Sequence, residues 1–273
     1  MTRALGFVLG FAMLWGANGC GDDSSTGGNG SGASGQGGDT GSGATSGEGG
    51  FVAVPPGSET FGDVHEGSYH LGPVDFAETA FHNSCAPYPT EVQNLTGPFL
   101  AGIDQSLNGD GNLCDACALV TTRLGKQVLV HVVTTGVSNA PGDMDMSPDA
   151  YDLIHEDDPQ GTPENPRPMN WQLARCPENG NILLQFQTGA NPYWTSLWVR
   201  NARMPFDHVA VRSTNHADWF SLRRETDGTL NDDGGFGEGA FDLQFVSVDG
   251  QTIEVTLQGF EPGSLVDTGV QFQ

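Results

Sequence analysis

The chain has 273 residues, with 34 Asp and Glu against 10 Lys and Arg and a formal net charge of −24. Lys126 is its single lysine, so no basic patch exists to displace counterions from a nucleic acid, and acidic polymers such as pectin or teichoic acids are disfavoured as well. A neutral polysaccharide is compatible with this charge, which otherwise reads as solubility or adaptation to salt.

At the N-terminus, Arg3 precedes an apolar run from Ala4 to Trp15. The run is shorter than the ~20 apolar residues of a spanning helix and reads as the core of a signal peptide. It ends in Ala17-Asn18-Gly19-Cys20, which resembles a bacterial lipobox with Cys20 as the lipidated residue. Residues 1–19 are therefore predicted to be a lipoprotein signal peptide, and the lipid is the only membrane contact expected. Residues 20–58 read as a disordered Gly/Ser-rich tether. From 21 to 50 there is no aromatic, no aliphatic larger than Ala and no positive charge. Its root-mean-square reach is roughly 30 Å. The expected location is outside the cell, lipid-anchored at the bacterial envelope, on the outer membrane or cell surface.

The remaining residues suffice for two ordinary domains. Beyond Cys20, Cys85, Cys114, Cys117 and Cys176 form an even set, which in an exported chain reads as two disulfides. Their spacing leaves three connectivities open. The Cys114-x-x-Cys117 pair lacks the thioredoxin-like context of a redox motif and the second ligand pair of a zinc site.

In the first folded region, Ala118–Thr122 and Gln127–Val133 are β-rich runs joined by a turn, a hairpin signal. The second is apolar on both faces and should be buried on both. Ser147 caps a short helix predicted from Pro148, with Asp149 in its first turn. A strand is expected over Met169–Arg175. From Pro177 onward the chain is strand-like. Ile182, Leu184 and Phe186 alternate, as do Leu197 with Val199 and Val209 with Val211. Phe241, Leu243 and Phe245 are followed by a turn at Asp249-Gly250 and by Ile253, Val255 and Leu257. Such short alternating strands suggest a β-sandwich. By alternation, either Trp219 or Phe220 is expected in its core.

Several segments, in order, carry a resemblance. They are His65-Glu66-Gly67, Cys114-x-x-Cys117 with Ala118-Leu119-Val120, Gly142-Asp143-Met144-Asp145-Met146-Ser147, Trp171 leading to Cys176, Tyr193–Asn201 with Pro205, and the terminal Gln271-Phe272. Together the chain resembles the bacterial expansin-like proteins. The resemblance implies a mostly β fold: a six-stranded double-psi β-barrel (59–176), then an immunoglobulin-like β-sandwich (177–273) that binds polysaccharide. It implies a monomer that loosens wall polysaccharide such as cellulose without hydrolysis and needs no cofactor. It also implies the pairs Cys85–Cys114 and Cys117–Cys176.

The family's barrel groove carries an Asp, which Asp145 matches. Its other positions fall on His70, where the family has Thr, on Thr134, where it has a second Asp, and on Gly136, where it has Tyr. Glycoside hydrolysis needs two carboxylates about the scissile bond, and Asp143, two residues from Asp145, does not supply the opposite face of a sugar ring. On the second domain the family's aromatic platform falls on Tyr193 and Trp194, its third aromatic on Asp227 and its basic residue on Gln187. Inward Leu197 and Val199 turn Ser196, Trp198 and Arg200 to the other face. Trp198 is then expected to extend the platform, roughly 13 Å from Trp194 along the strand.

Asn108–Asn112 and Asp232-Asp233 read as polar turns rather than calcium loops. The seven histidines show no zinc spacing, so no metal site is expected. Two rival readings are a barrel-type glycan-cleaving lipoprotein, such as a lytic transglycosylase that needs one well-placed acid, and a surface-binding or adhesion module with an inactive groove.

Overall fold

The computed structural model describes residues 54, 58–135, 140–155, 167–177 and 180–273. The signal-peptide and lipidation expectations, Cys20 included, and the Gly136 position lie outside the described residues.

Six strands close into a barrel: β1 (Thr60–Leu71), β2 (Leu100–Ile103), β3 (Cys117–Thr122), β4 (Gln127–Thr135), β5 (Met144–Met146) and β6 (Arg167–Ala174). Around the ring they run β1-β5-β2-β4-β3-β6, and β6 pairs back onto β1. The β1–β5 and β2–β4 pairs are parallel and the others antiparallel, the double-psi arrangement. The predicted hairpin is β3–β4.

The two-sided apolarity of β4 has a direct cause. Val128, Val130 and Val132 fill the barrel, while Val133 packs outside it against Phe76, Phe81 and Cys85. Those partners lie on or near two short helices, α1 (Phe76–Ala80) and α2 (Thr90–Thr96). Neither helix is long enough to register as a 3.6-residue period in the sequence. A third, α3 (Pro148–Ile154), starts where predicted, with Ser147 Oγ accepting from the Ala150 amide.

Past the barrel, nine strands form two sheets. Introduced in chain order they are β7 (Leu183–Phe186), β8 (Thr195–Arg200), β9 (Phe206–Arg212), β10 (Phe220–Ser221), β11 (Arg223–Arg224), β12 (Leu230–Asp232), β13 (Phe241–Ser247), β14 (Thr252–Leu257) and β15 (Leu265–Asp267). One sheet is ordered β11-β12-β8-β7-β15 and the other β10-β9-β13-β14. The alternating residues read from the sequence make the core: Leu184, Phe186, Leu197, Val199, Val209, Val211, Leu243 and Phe245, with the terminal Phe272. Each such side chain contributes about 1.5–3 kcal/mol of burial.

One alternation fails. Neither Trp219 nor Phe220 enters this core; Leu222 does. The strand there is two residues long, at the sheet edge. Phe220 stacks on His216 at 4.2 Å, and Trp219 lies under Arg212 at 4.7 Å.

The disulfides are Cys85–Cys114 and Cys117–Cys176, the pairs that the resemblance implied. The two cysteines of the C-x-x-C thus go to different partners. Among the described residues, the one cluster with metal-ligand spacing is Cys117, His131 and Cys176. Two of its sulfurs are already bonded to each other, so no thiolate pair is on offer.

The barrel and the five-stranded sheet meet through a buried arginine. Arg200 is 0% exposed. Its guanidinium donates to Asp115, to Gln185 Oε1 (2.9 Å) and to the carbonyls of Cys85 (3.0 Å) and Pro87 (3.1 Å), and it lies 4.0 Å over the Tyr88 ring. Asp115 Oδ1 also sits 3.2 Å from His131 Nε2. Burial alone would raise the Asp115 carboxyl, but Arg200 and His131 outweigh it and hold the group below its ordinary value. Asp115 adopts φ +65°, a conformation Asp tolerates better than most residues.

Candidate functional site: the barrel groove and the aromatic turn

Four strands of the barrel bring one row of residues together. His70 is in register with Asp145 across β1 and β5, Asp145 with Gly102 across β5 and β2, and Gly102 with Thr134 across β2 and β4. Residues in register share a face, so the row crosses the barrel surface in the order His70, Asp145, Gly102, Thr134. Gly102 is the tight point in it. A Cβ there would sit 2.8 Å from Thr134 Cγ2, 3.7 Å from the Phe76 ring and 3.9 Å from Asp145 Cβ, so only glycine lets these three side chains close over the strand. Thr134 Oγ1 and Asp145 Oδ2 are buried without a hydrogen-bond partner among the described residues. Buried polar atoms are rarely left so.

A second close approach sets where β1 passes. Gly67 and Gly142 stack backbone on backbone: a Cβ on Gly67 would lie 2.2 Å from the Gly142 carbonyl oxygen. Gly142 takes φ +93°, and its carbonyl accepts from Trp171 Nε1 at 2.9 Å. A side chain at either glycine would force these two backbones apart. On the far side, Ser147 Oγ donates to the Pro98 carbonyl (2.8 Å) and accepts from the Leu100 amide (3.1 Å), fixing the end of β5 against β2.

Asp143 is the residue whose part the sequence did not reveal. Its Oδ1 accepts from the Ser68 amide at 2.8 Å and its Oδ2 lies 3.2 Å from His70 Nε2. Seventy-three residues separate His70 from Asp143, so no local spacing signals the pair. Asp145 is the other carboxyl of the row. Burial raises its carboxyl above the ordinary value of 3.8; the nearby His70 opposes this and the Asp143 charge adds to it. Such a carboxyl can donate a hydrogen bond or a proton more readily than an exposed one.

In the sandwich, the chain turns into β8 through Asn191-Pro192-Tyr193-Trp194. Asn191 Oδ1 accepts from the Tyr193 amide at 2.9 Å, and Asn191 and Trp194 bond backbone to backbone. Asn followed by Pro is suited to such a turn. Tyr193 projects from it and is 69% exposed, while Trp194 is half-buried against Gly189.

The expected flat row with Trp198 does not form. Ser196, Trp198 and Arg200 do face away from Leu197 and Val199, but every residue of β8 is buried. Trp198 is only 6% exposed; its Nε1 donates to the Asp227 carbonyl at 3.2 Å, and Arg200 lies 5.2 Å over its ring. Alternation determined which face these residues occupy, but not that the barrel covers that face. Trp198 instead lines a cavity of about 430 Å³ with Gln185, Gln187 and Asp227.

No family model matches the chain. It is 25% identical over 202 residues to Expansin-like protein 6 of Dictyostelium discoideum, covering 70% of this chain and 67% of that one. Expansin-like protein 5 of the same organism is 23% identical over 216 residues, covering 72% and 87%. Among solved structures, apo Clavibacter michiganensis expansin superposes with a TM-score of 0.63 at 17% identity, over 77% of this chain and 98% of that one. A mutant of that expansin in complex with cellohexaose gives 0.60 at 17% identity, with the same coverage. The homologues are expansin-like proteins, and the fold is that of a bacterial expansin.

Proposed function

We propose that this chain, a relative of the expansin-like proteins, binds a neutral wall polysaccharide, cellulose or another β-glucan, and loosens its non-covalent packing without cutting it. The observation that carries this reading is Tyr193, a ring 69% exposed on a turn built to hold it, on a molecule whose barrel carries the groove row of Asp145 and Thr134. An exposed ring stacks on the apolar face of a pyranose, and a half-buried carboxyl such as Asp145 can bond its hydroxyls. Barrel (59–176) and sandwich (177–273) then act as two contacts along one polymer chain.

Cutting is not part of this reading. An inverting or retaining glycosidase needs a second carboxylate across the bond from the first. Asp143 is committed to the Ser68 amide and to His70. Cellohexaose is the ligand of one structural neighbour, which supports a linear β-glucan as the first polymer to test.

The protein is further read as exported and held by a lipid on Cys20, working as a monomer at the envelope surface through the tether of residues 20–58. The composition of the tether and the apolar run before Cys20 support this.

The test is a pull-down of the chain on cellulose, chitin and peptidoglycan, alongside Tyr193→Ala, with released sugar assayed in the supernatant and creep of a cellulose network measured. Glucan binding that falls with Tyr193→Ala, creep and no released sugar are expected. Release of sugar from peptidoglycan would replace this reading with a lytic one, and binding without creep would leave an adhesion module.

A further inference from the structure

We propose that Phe220 is a second aromatic contact of the sandwich for a pyranose ring of a neutral glycan, braced on the loop that also holds the Tyr193 turn. The proposal rests on the polysaccharide-binding reading and adds a binding position to it.

Phe220 opens β10, the edge strand of the four-stranded sheet, in register with Val211 of β9. Leu222, two residues on, is in the core, yet Phe220 is 43% exposed. Its ring lies on that of His216, with centroids 4.2 Å apart and planes 5° from parallel. His216 thus covers one face of the ring, which leaves the exposure to the rim and the other face. Among the described Phe, Tyr and Trp residues, Tyr193 and Phe220 are the two that are exposed. The family's third aromatic position falls on Asp227, between β11 and β12 of the other sheet, so Phe220 is a different place on the sandwich.

The ring is held in advance. His216 Nε2 lies 2.6 Å from Oδ2 of the buried Asp232, whose Oδ1 accepts from the Gly234 amide at 2.9 Å. His216 and Ser213 also close a turn backbone to backbone. A ring immobilised before binding loses little further entropy when a sugar stacks on it.

The loop between β12 and β13 joins this pair to the Tyr193 turn. On one side, a Cβ on Gly235 would sit 2.3 Å from the Pro192 carbonyl oxygen, and the Gly237 amide donates to that oxygen at 2.7 Å. On the other side, Asn215 Nδ2 donates to the carbonyls of Gly234 (3.1 Å) and Gly235 (2.9 Å). A Cβ on Gly237 would sit 2.9 Å from Asn215 Oδ1. Both glycines have positive φ, +67° and +78°, so the loop is fixed between the two turns by residues that few others could replace. Asp218, two residues before Phe220, and Asp233, beside Asp232, disfavour an acidic sugar and leave a neutral one.

The experiment measures adsorption of the full chain to cellulose and chitin for the wild type, Phe220→Leu, Phe220→Tyr and Tyr193→Ala, each checked by a thermal melt. Leucine keeps the apolar bulk and removes the ring; tyrosine keeps the ring. Phe220→Leu is expected to lower the affinity about fivefold, the loss of one stacking contact, and Phe220→Tyr to stay within about twofold of the wild type. In the wild type, titrated cellohexaose should shift the ring-proton resonances of Phe220, a readout that does not depend on how any variant folds. Phe220→Leu binding like the wild type, Phe220→Tyr losing as much as Phe220→Leu, or ring resonances that do not move would each overturn the site. If Tyr193→Ala still weakens adsorption in that case, the glycan-binding reading stands. A wild type that adsorbs to neither polymer overturns both.

Discussion

Arg200 on β8 of the sandwich donates to Asp115 of the barrel, 85 residues away in the chain, and neither is open to water. The arginine also holds three further acceptors, two of them barrel carbonyls. One side chain thus ties the groove-bearing and aromatic-bearing parts into a single body, and its loss would strand a buried carboxylate.

Arg200→Ala is accordingly expected to cost about 3–5 kcal/mol, the usual penalty for removing one partner of a buried ion pair. In a chain of this size that lowers Tm by roughly 10 °C or more. Combining it with Asp115→Asn should cost less than the sum of the single changes, because the stranded charge is then gone. Calorimetric melts of the three variants check this; strict additivity would mean that the pair is not coupled.

Asp145 should show itself in the pH dependence of stability. Its carboxyl is raised above 3.8 in the folded protein, chiefly by burial. A raised acid favours the fold fully below its unfolded value, and that contribution is lost as pH rises through the folded value. Above that folded value the ionised Asp145 is therefore a burden that Asp145→Asn removes. The variant should melt higher than the wild type at pH 7, and the difference should vanish as pH falls below the ordinary aspartate value. A variant that is less stable at pH 7 would show that the carboxylate is better satisfied than its geometry indicates.

The disulfides close loops of 29 and 59 residues. On chain-entropy grounds they are worth roughly 3.5 and 4 kcal/mol. Replacing Cys117 and Cys176 together by Ala should lower Tm more than replacing Cys85 and Cys114, and denaturant melts of the two double variants would rank them.

Tyr193→Ala should leave Tm within about 1 °C of the wild type, since an exposed side chain contributes little to the fold. Its affinity for cellulose should nevertheless fall about five- to tenfold, a loss near 1 kcal/mol. Adsorption isotherms measure it. Unchanged adsorption would remove the ring from the binding surface.

Cys20→Ser should move the protein from the membrane fraction to the soluble one, and labelled palmitate should no longer be incorporated. A variant that stays with the membrane would exclude a lipid on Cys20.

Some of this was legible residue by residue. Alternation in Leu184–Phe186, Leu197–Val199 and Phe241–Phe245 identified the core face of the sheets, because a strand repeats every two residues wherever it lies. Ser147-Pro148-Asp149 marked the start of α3, because a helix cap is satisfied within four residues. The cysteine pairs and the groove position of Asp145 came from resemblance, since residues this far apart leave no local trace of their contact.

The row of His70, Asp145, Gly102 and Thr134 exists only because four strands from distant parts of the chain lie side by side in one register. Trp198 is buried only because the tertiary structure covers a face that alternation could not distinguish from an open one. By itself the sequence determined which side chains shun water and where the backbone turns, for those depend on neighbours along the chain. The tertiary structure decided which polar groups were left unpartnered in a groove and which aromatic stayed exposed, for those depend on what packs above them.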